Sequence, residues 1–175
     1  NLAESPYDGK LRQFKFDNEE ELLESFLSTW ELESPDAVTG WNVRFFDIPY
    51  LVRRIERLFG DKEPKRFSPW KMVRDRTIKI RNRDELAYEI VGVATLDYLE
   101  LYRNYTFTNQ ESYKLDHISY VELGEKKLSY EEYGSIATFY KENFQKFIEY
   151  NIRDVDLVCK LEDKLRLMEL NASVA

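Results

Sequence analysis

The stretch "TGWNVRFFDIPY", residues 39–50, decides how the chain is read. With the preceding "AV", the run "AVTGWNV" is expected to form a strand. A helix is expected from about Pro49, because proline suits the first helical turn. Leu51, Val52, Ile55, Leu58 and Phe59 then recur at helical spacing until Gly60 stops the run. Asp47 therefore stands where a strand hands over to a helix, with Asn42 and Phe46 just before it.

Working outward, "LRQFKF" (11–16) reads as a short strand. "DNEEELLESFLSTWEL" reads as a helix with Leu22, Leu23, Phe26, Leu27 and Trp30 on one face. Asp17 is its expected N-cap, and Glu20 three residues on completes a capping-box pattern. Residues 71–96 read as two β segments joined at "RNRDE", the second ending in "IVGVATL", before "DYLELYRNY" turns helical. Asp97 opens that helix, where an N-cap role is favoured over that of an additional metal ligand. From Gly134 onward the pattern is helical, with one stripe of Ile136, Tyr140, Phe144, Phe147 and Ile148. A second stripe holds Val155, Val158, Leu161, Leu165 and Met168. The fold class is α/β, weighted toward helix at the C-terminal end. With no internal repeat or long linker, residues 1–175 read as a single domain.

Composition bounds the function. The chain has 175 residues, 43% of them hydrophobic and 15% aromatic, enough for a real core. A net charge of -7 and a pI near 5.0 argue against a stand-alone nucleic-acid binder, which is typically basic. Cys159 is the only cysteine, which excludes an intramolecular disulfide and a cysteine-based zinc site and fits a reducing intracellular setting. No run approaches a membrane span, and the N-terminus carries no signal pattern. Lysine and arginine are frequent between Lys62 and Arg83, with Phe67 and Trp70 interleaved. A solvated hairpin face is favoured there over a single-stranded DNA path.

"EYNIRDVDLV" places Tyr150 and Asp154 four residues apart, hence on one helical face. Alone, such a pair is expected by chance. Together with Asn42, Phe46 and Asp47 it resembles the second and third motifs of tyrosine-type 3'-5' exonucleases with a ribonuclease-H-like fold. The chain is similar to the proofreading domain of family B DNA polymerases, in particular those of T-even-type bacteriophages. "FDNE", "TGWN" with "FDIPY", "KRFSP", "LDYLELY", "FTNQ" with "SYKLDHIS", and "YNIRDV" come in that family's order, over almost the whole chain.

The resemblance implies two-metal phosphodiester hydrolysis with Mg2+ or Mn2+, in which one ion activates water and the other stabilises the leaving oxygen. It assigns Asp47 and Asp154 as metal-site carboxylates and Tyr150 as the group that positions the attacking water. Lys127 would be a cation near the scissile phosphate, and Asn42 with Phe46 would shape the pocket for the terminal nucleotide. The implied partners are the 3' end of single-stranded DNA and the rest of a polymerase chain, in the cytoplasm of an infected bacterial host. His117, the lone histidine, lies far in sequence from Tyr150 and is read as structural.

One departure from the family stands out. Its first motif is an Asp-x-Glu pair on the opening strand, and the D-x-E here, Asp17 to Glu19 in "FDNE", reads instead as a helix cap. The chain is accordingly expected to be a partial exonuclease domain whose N-terminal strands are missing, with little or no nuclease activity by itself. An unpaired strand edge beside "AVTGWNV" would invite a homodimer. The alternatives are a non-catalytic ribonuclease-H-like module that binds DNA or a protein partner, and a truncated product without independent function.

Overall fold

The computed structural model of the chain describes residues 14–80, 82–126 and 131–174. The architecture is mixed α/β, as expected, with the order α1 (Glu19–Glu33), β1 (Ala37–Gly40), α2 (Asp47–Phe59), a 3-10 turn (Glu63–Phe67), β2 (Val73–Ile80), β3 (Arg83–Ile90), β4 (Ala94–Asp97) and α3 (Tyr98–Tyr105). Then follow α4 (Leu115–Leu123), a 3-10 turn (Glu131–Tyr133), α5 (Ile136–Glu142), α6 (Phe144–Leu165) and α7 (Leu167–Val174). The chain divides into two compact units, Lys15–Tyr102 and a second formed by Arg103–Ala175 with the N-terminal residues to Phe14.

In the Lys15–Tyr102 unit, α1 and α2 pack with the 3-10 turn and the strands around Leu23, Leu27, Val43, Ile48, Val52, Ile55, Phe67, Ile90 and Val93. Trp30 caps this core. Its indole N–H donates to the Phe67 carbonyl at 2.8 Å, and its ring meets the Phe67 ring edge-on at 5.1 Å. α1 is capped by Asn18 rather than Asp17. Asn18 Oδ1 accepts from the Glu21 N–H at 2.8 Å and its amide donates to the Glu21 carboxylate at 2.9 Å. The cap is shifted by one residue, and its return bond runs from the Asn18 side-chain amide to Glu21 rather than from the backbone N–H of a capping box. Leu22 is exposed, contrary to the expected stripe.

The strands form two pairs. β2 and β3 are an antiparallel hairpin from Val73↔Ile90 to Ile80↔Arg83. β1 and β4 are parallel, with Ala37 opposite Ala94 and Gly40 opposite Asp97. β1 is shorter than the expected "AVTGWNV", since residues 41–46 are turn, and α2 starts at Asp47 rather than Pro49. The expected run "IVGVATL" is broken into β3 and β4 by a turn at Gly92. Its φ of 91° suits glycine, and a Cβ there would lie 2.8 Å from Pro69 Cγ. Phe14–Phe16, the described part of "LRQFKF", belongs to no strand. Phe67 is buried and Trp70 exposed, so the two do not form one stacking surface along Lys62–Arg83.

In the second unit, α6 is the long element. It buries Val158 and Leu161 of the expected stripe together with Leu157, while Val155 faces out. Phe139 of α5 is fully buried, whereas Ile136, Tyr140 and Phe144 are exposed. The helical run is divided at Asn143, which caps α6 through the Lys146 N–H at 3.1 Å, and at Arg166, which adopts a left-handed φ of 52°. Among the described residues no helix is long and apolar enough to cross a membrane.

Candidate active site

The loop between β1 and α2 is built around a turn that few residue types tolerate. Asn42 adopts a left-handed φ of 66°, a conformation open chiefly to glycine and asparagine. Its carbonyl accepts the Phe46 N–H at 3.1 Å, and the Val43 carbonyl accepts the Ile48 N–H at 3.0 Å, so the turn runs directly into α2. Val43 and Ile48 are buried on either side of the exposed Phe46 and Asp47. Burial of the two aliphatic side chains thus holds Phe46 and Asp47 outward at the head of the helix.

Asp47 is the first residue of α2. Although the residue is exposed, partial desolvation pushes its carboxyl above the ordinary carboxylate range, the nearby negative charge of Asp97 adds to the rise, and a hydrogen bond from its own backbone N–H opposes it. A carboxylate in this state gains from any cation placed beside it.

Asp97 is the residue whose part sequence reasoning missed. It is 2% exposed, and its carboxylate accepts three backbone N–H groups: Asn42 at 3.1 Å, Arg44 at 3.0 Å and Leu99 at 3.0 Å. The last of these is the expected cap at the head of α3; the other two reach across to the Asp47 loop. Arg44 reinforces the join, donating to the Thr95 carbonyl at 3.0 Å and pairing with Glu100 at 3.2 Å. A second aspartate at a strand-to-helix handover, "TLDYL" beside "FFDIP", was the available signal.

In the second unit, Tyr150 and Asp154 lie one turn apart on α6, both half-buried. The Tyr150 ring meets Phe139 edge-on at 5.9 Å. Arg153, next to Asp154, donates to Asp156 at 2.7 Å and also pairs with Glu125. Lys127 lies outside the described residues. Asn42, Phe46 and Asp47 are therefore grouped in one unit, and Tyr150 with Asp154 in the other.

In the "FDNE" acid pair, Glu19 pairs with Arg54, whose hydrogen bond holds its carboxyl below the usual range. Among the described residues no three of His, Cys, Asp or Glu gather to hold a metal ion. Asp97 has its oxygens engaged by backbone N–H groups.

Residues 2–118 match the family described as DNA polymerase family B, exonuclease domain. The chain is 40% identical over 162 residues to the DNA-directed DNA polymerase of Escherichia phage RB69, covering 93% of this chain and 18% of the relative. It is 38% identical over 151 residues to the enzyme of the same name from Enterobacteria phage T4, covering 86% and 16%. The DNA polymerase delta catalytic subunit of Mesocricetus auratus is 29% identical over 170 residues, covering 91% and 15%. The chain belongs to the exonuclease-domain family of family B DNA polymerases, a family that works with divalent metal ions. It spans less than a fifth of the length of these relatives.

Proposed function

We propose that the chain is the proofreading 3'-5' exonuclease domain of a DNA-directed DNA polymerase, hydrolysing the 3'-terminal phosphodiester of a single-stranded DNA end. The observation that carries this reading is Asp47, presented at the head of α2 in a chain whose residues 2–118 match the exonuclease-domain family. In this reading Asp47 and Asp154 are metal-facing carboxylates for Mg2+ or Mn2+, and Tyr150 positions the attacking water. Lys127 offsets charge near the scissile phosphate, while Asn42 and Phe46 receive the terminal nucleotide. The rest of a polymerase chain, working in the cytoplasm of an infected bacterium, is the proposed setting.

Because this reading assigns two metal-facing carboxylates, the chain alone is expected to bind divalent ions weakly and to cleave little. Calorimetric titration of MnCl2 into the 175-residue chain tests this. Weak binding that is lost in Asp47→Asn is the expected result; tight binding that survives Asp47→Asn contradicts the assignment. Among the described residues β1 and β4 pair only with each other, which supports assembly with a second copy through a free edge. A concentration-independent monomer mass by light scattering would count against that assembly.

A further inference from the structure

We propose that Asp97 is a positioning residue of the exonuclease site, holding the loop Trp41–Phe46 so that Asp47 is presented at the head of α2; this rests on the exonuclease reading above. A helix cap needs only the Leu99 N–H. The Asp97 carboxylate takes the Asn42 and Arg44 N–H groups as well, from a loop more than fifty residues earlier in the chain. The parallel register explains how it reaches them: Gly40 lies opposite Asp97, so the next residues of the loop curl over its side chain.

Two further observations give those bonds a purpose. Asn42 is held left-handed, and such a conformation persists only where surrounding contacts over-determine it. The Asp97 bond to the Asn42 N–H falls on that residue. The flanking side chains are also tied to the Asp97 segment: Trp41 packs on Tyr98 and Tyr102 with centroids 6.3 and 6.2 Å away, and Arg44 bonds the Thr95 carbonyl. The loop is therefore referenced to the β4–α3 junction through its backbone on a carboxylate. Asp97 itself is buried with its carboxylate turned to backbone N–H groups, so it acts through the loop.

The test uses Asp97→Ser and Asp97→Asn. Serine can still cap α3 but is too short to reach the loop, and asparagine turns an NH2 against one of the three donors. Amide hydrogen exchange in the 175-residue chain is expected to be slow at Asn42 and Arg44 in the wild type. In Asp97→Ser it should accelerate there by about 10-fold or more beyond any change at Ile55 in the core. Unprotected Asn42 and Arg44 amides in the wild type, or an equal acceleration at Ile55, overturn the proposal, and the wild-type reading stands even if a variant fails to fold.

A second arm measures 3'-5' cleavage of single-stranded DNA by the full-length polymerase that carries the domain. Asp97→Ser should lower kcat on the order of 10- to 100-fold, in enzyme that still extends a primer. If Asp47→Ala abolishes cleavage while Asp97→Ser leaves kcat and KM unchanged, the positioning role alone is wrong. If Asp47→Ala leaves cleavage intact, the exonuclease reading is what fails.

Discussion

Arg153 donates to the buried Asp156 at 2.7 Å from the position next to Asp154, and Lys160 reaches the same Asp156 oxygen at 3.1 Å. Both cations also pair with Glu125, which ties the segment before Lys127 to α6. Asp156→Ala leaves Arg153 and Lys160 without their buried partner. Because the cations are half-exposed, the expected loss is smaller than for a fully buried pair, about 1–3 kcal/mol. Urea unfolding of the variant measures it. A midpoint unchanged from wild type would show that the network is ornamental.

Asp47 carries the opposite kind of prediction. Its folded-state pKa is raised, chiefly by desolvation, so between its ordinary and its raised value the folded state holds more proton than the unfolded state. Stability therefore falls as pH rises through that window. Asp47→Asn removes the penalty and should unfold at a higher temperature than wild type at neutral pH. The two proteins should converge at pH 3, where the wild-type carboxyl is protonated in both states. A variant less stable than wild type at neutral pH would contradict the partial desolvation of this carboxylate.

Arg66 is the electrostatic hub of the other face. Its guanidinium, 19% exposed, pairs with Glu24 at 2.8 Å, Glu31 at 2.9 Å and Glu63 at 3.4 Å, joining α1 to the 3-10 turn. Lys71 pairs with Glu31 as well. The Arg66 hydrogen bond holds Glu24 below the ordinary carboxylate range, and those from Lys71 and Arg66 do the same for Glu31. Folded pKa values that are depressed give stability that is complete above the unfolded value and is lost as pH falls through the folded one. Arg66→Met should cost on the order of 1 kcal/mol at neutral pH and low salt, since its glutamate partners are a third or more exposed. The cost should shrink in 1 M salt and in acid; a cost independent of both would assign it to packing alone.

The elements were legible where hydrophobic period and punctuation agreed. α2, with Val52 and Ile55 inward and Gly60 at its end, is the clear case, and the β2–β3 hairpin is another. Phase was harder. Asn18 and Asp17 are equally good caps by residue type, so the sequence does not choose between them. On α6 the expected stripe holds at Val158 and Leu161, but Val155 faces out and Leu157, outside that stripe, is buried instead. The break at Arg166 had no glycine or proline to announce it. The position of Asp47 at the start of a helix and that of Tyr150 with Asp154 on one helix were legible from period and spacing. The bonds from Asp97 to Asn42 and Arg44 were not, because they depend on a parallel register between segments far apart in the chain.

The most direct measurement is cleavage of a 5'-labelled single-stranded oligonucleotide in Mg2+ by the full-length polymerase carrying this domain, wild type beside Asp47→Ala. Stepwise shortening from the 3' end is predicted for the wild type. In Asp47→Ala it should fall by about 100-fold or more, the scale of losing a main electrostatic group at a reacting centre, with primer extension retained. Equal 3'-5' shortening by the two proteins would contradict the placement of Asp47 at the centre of the site.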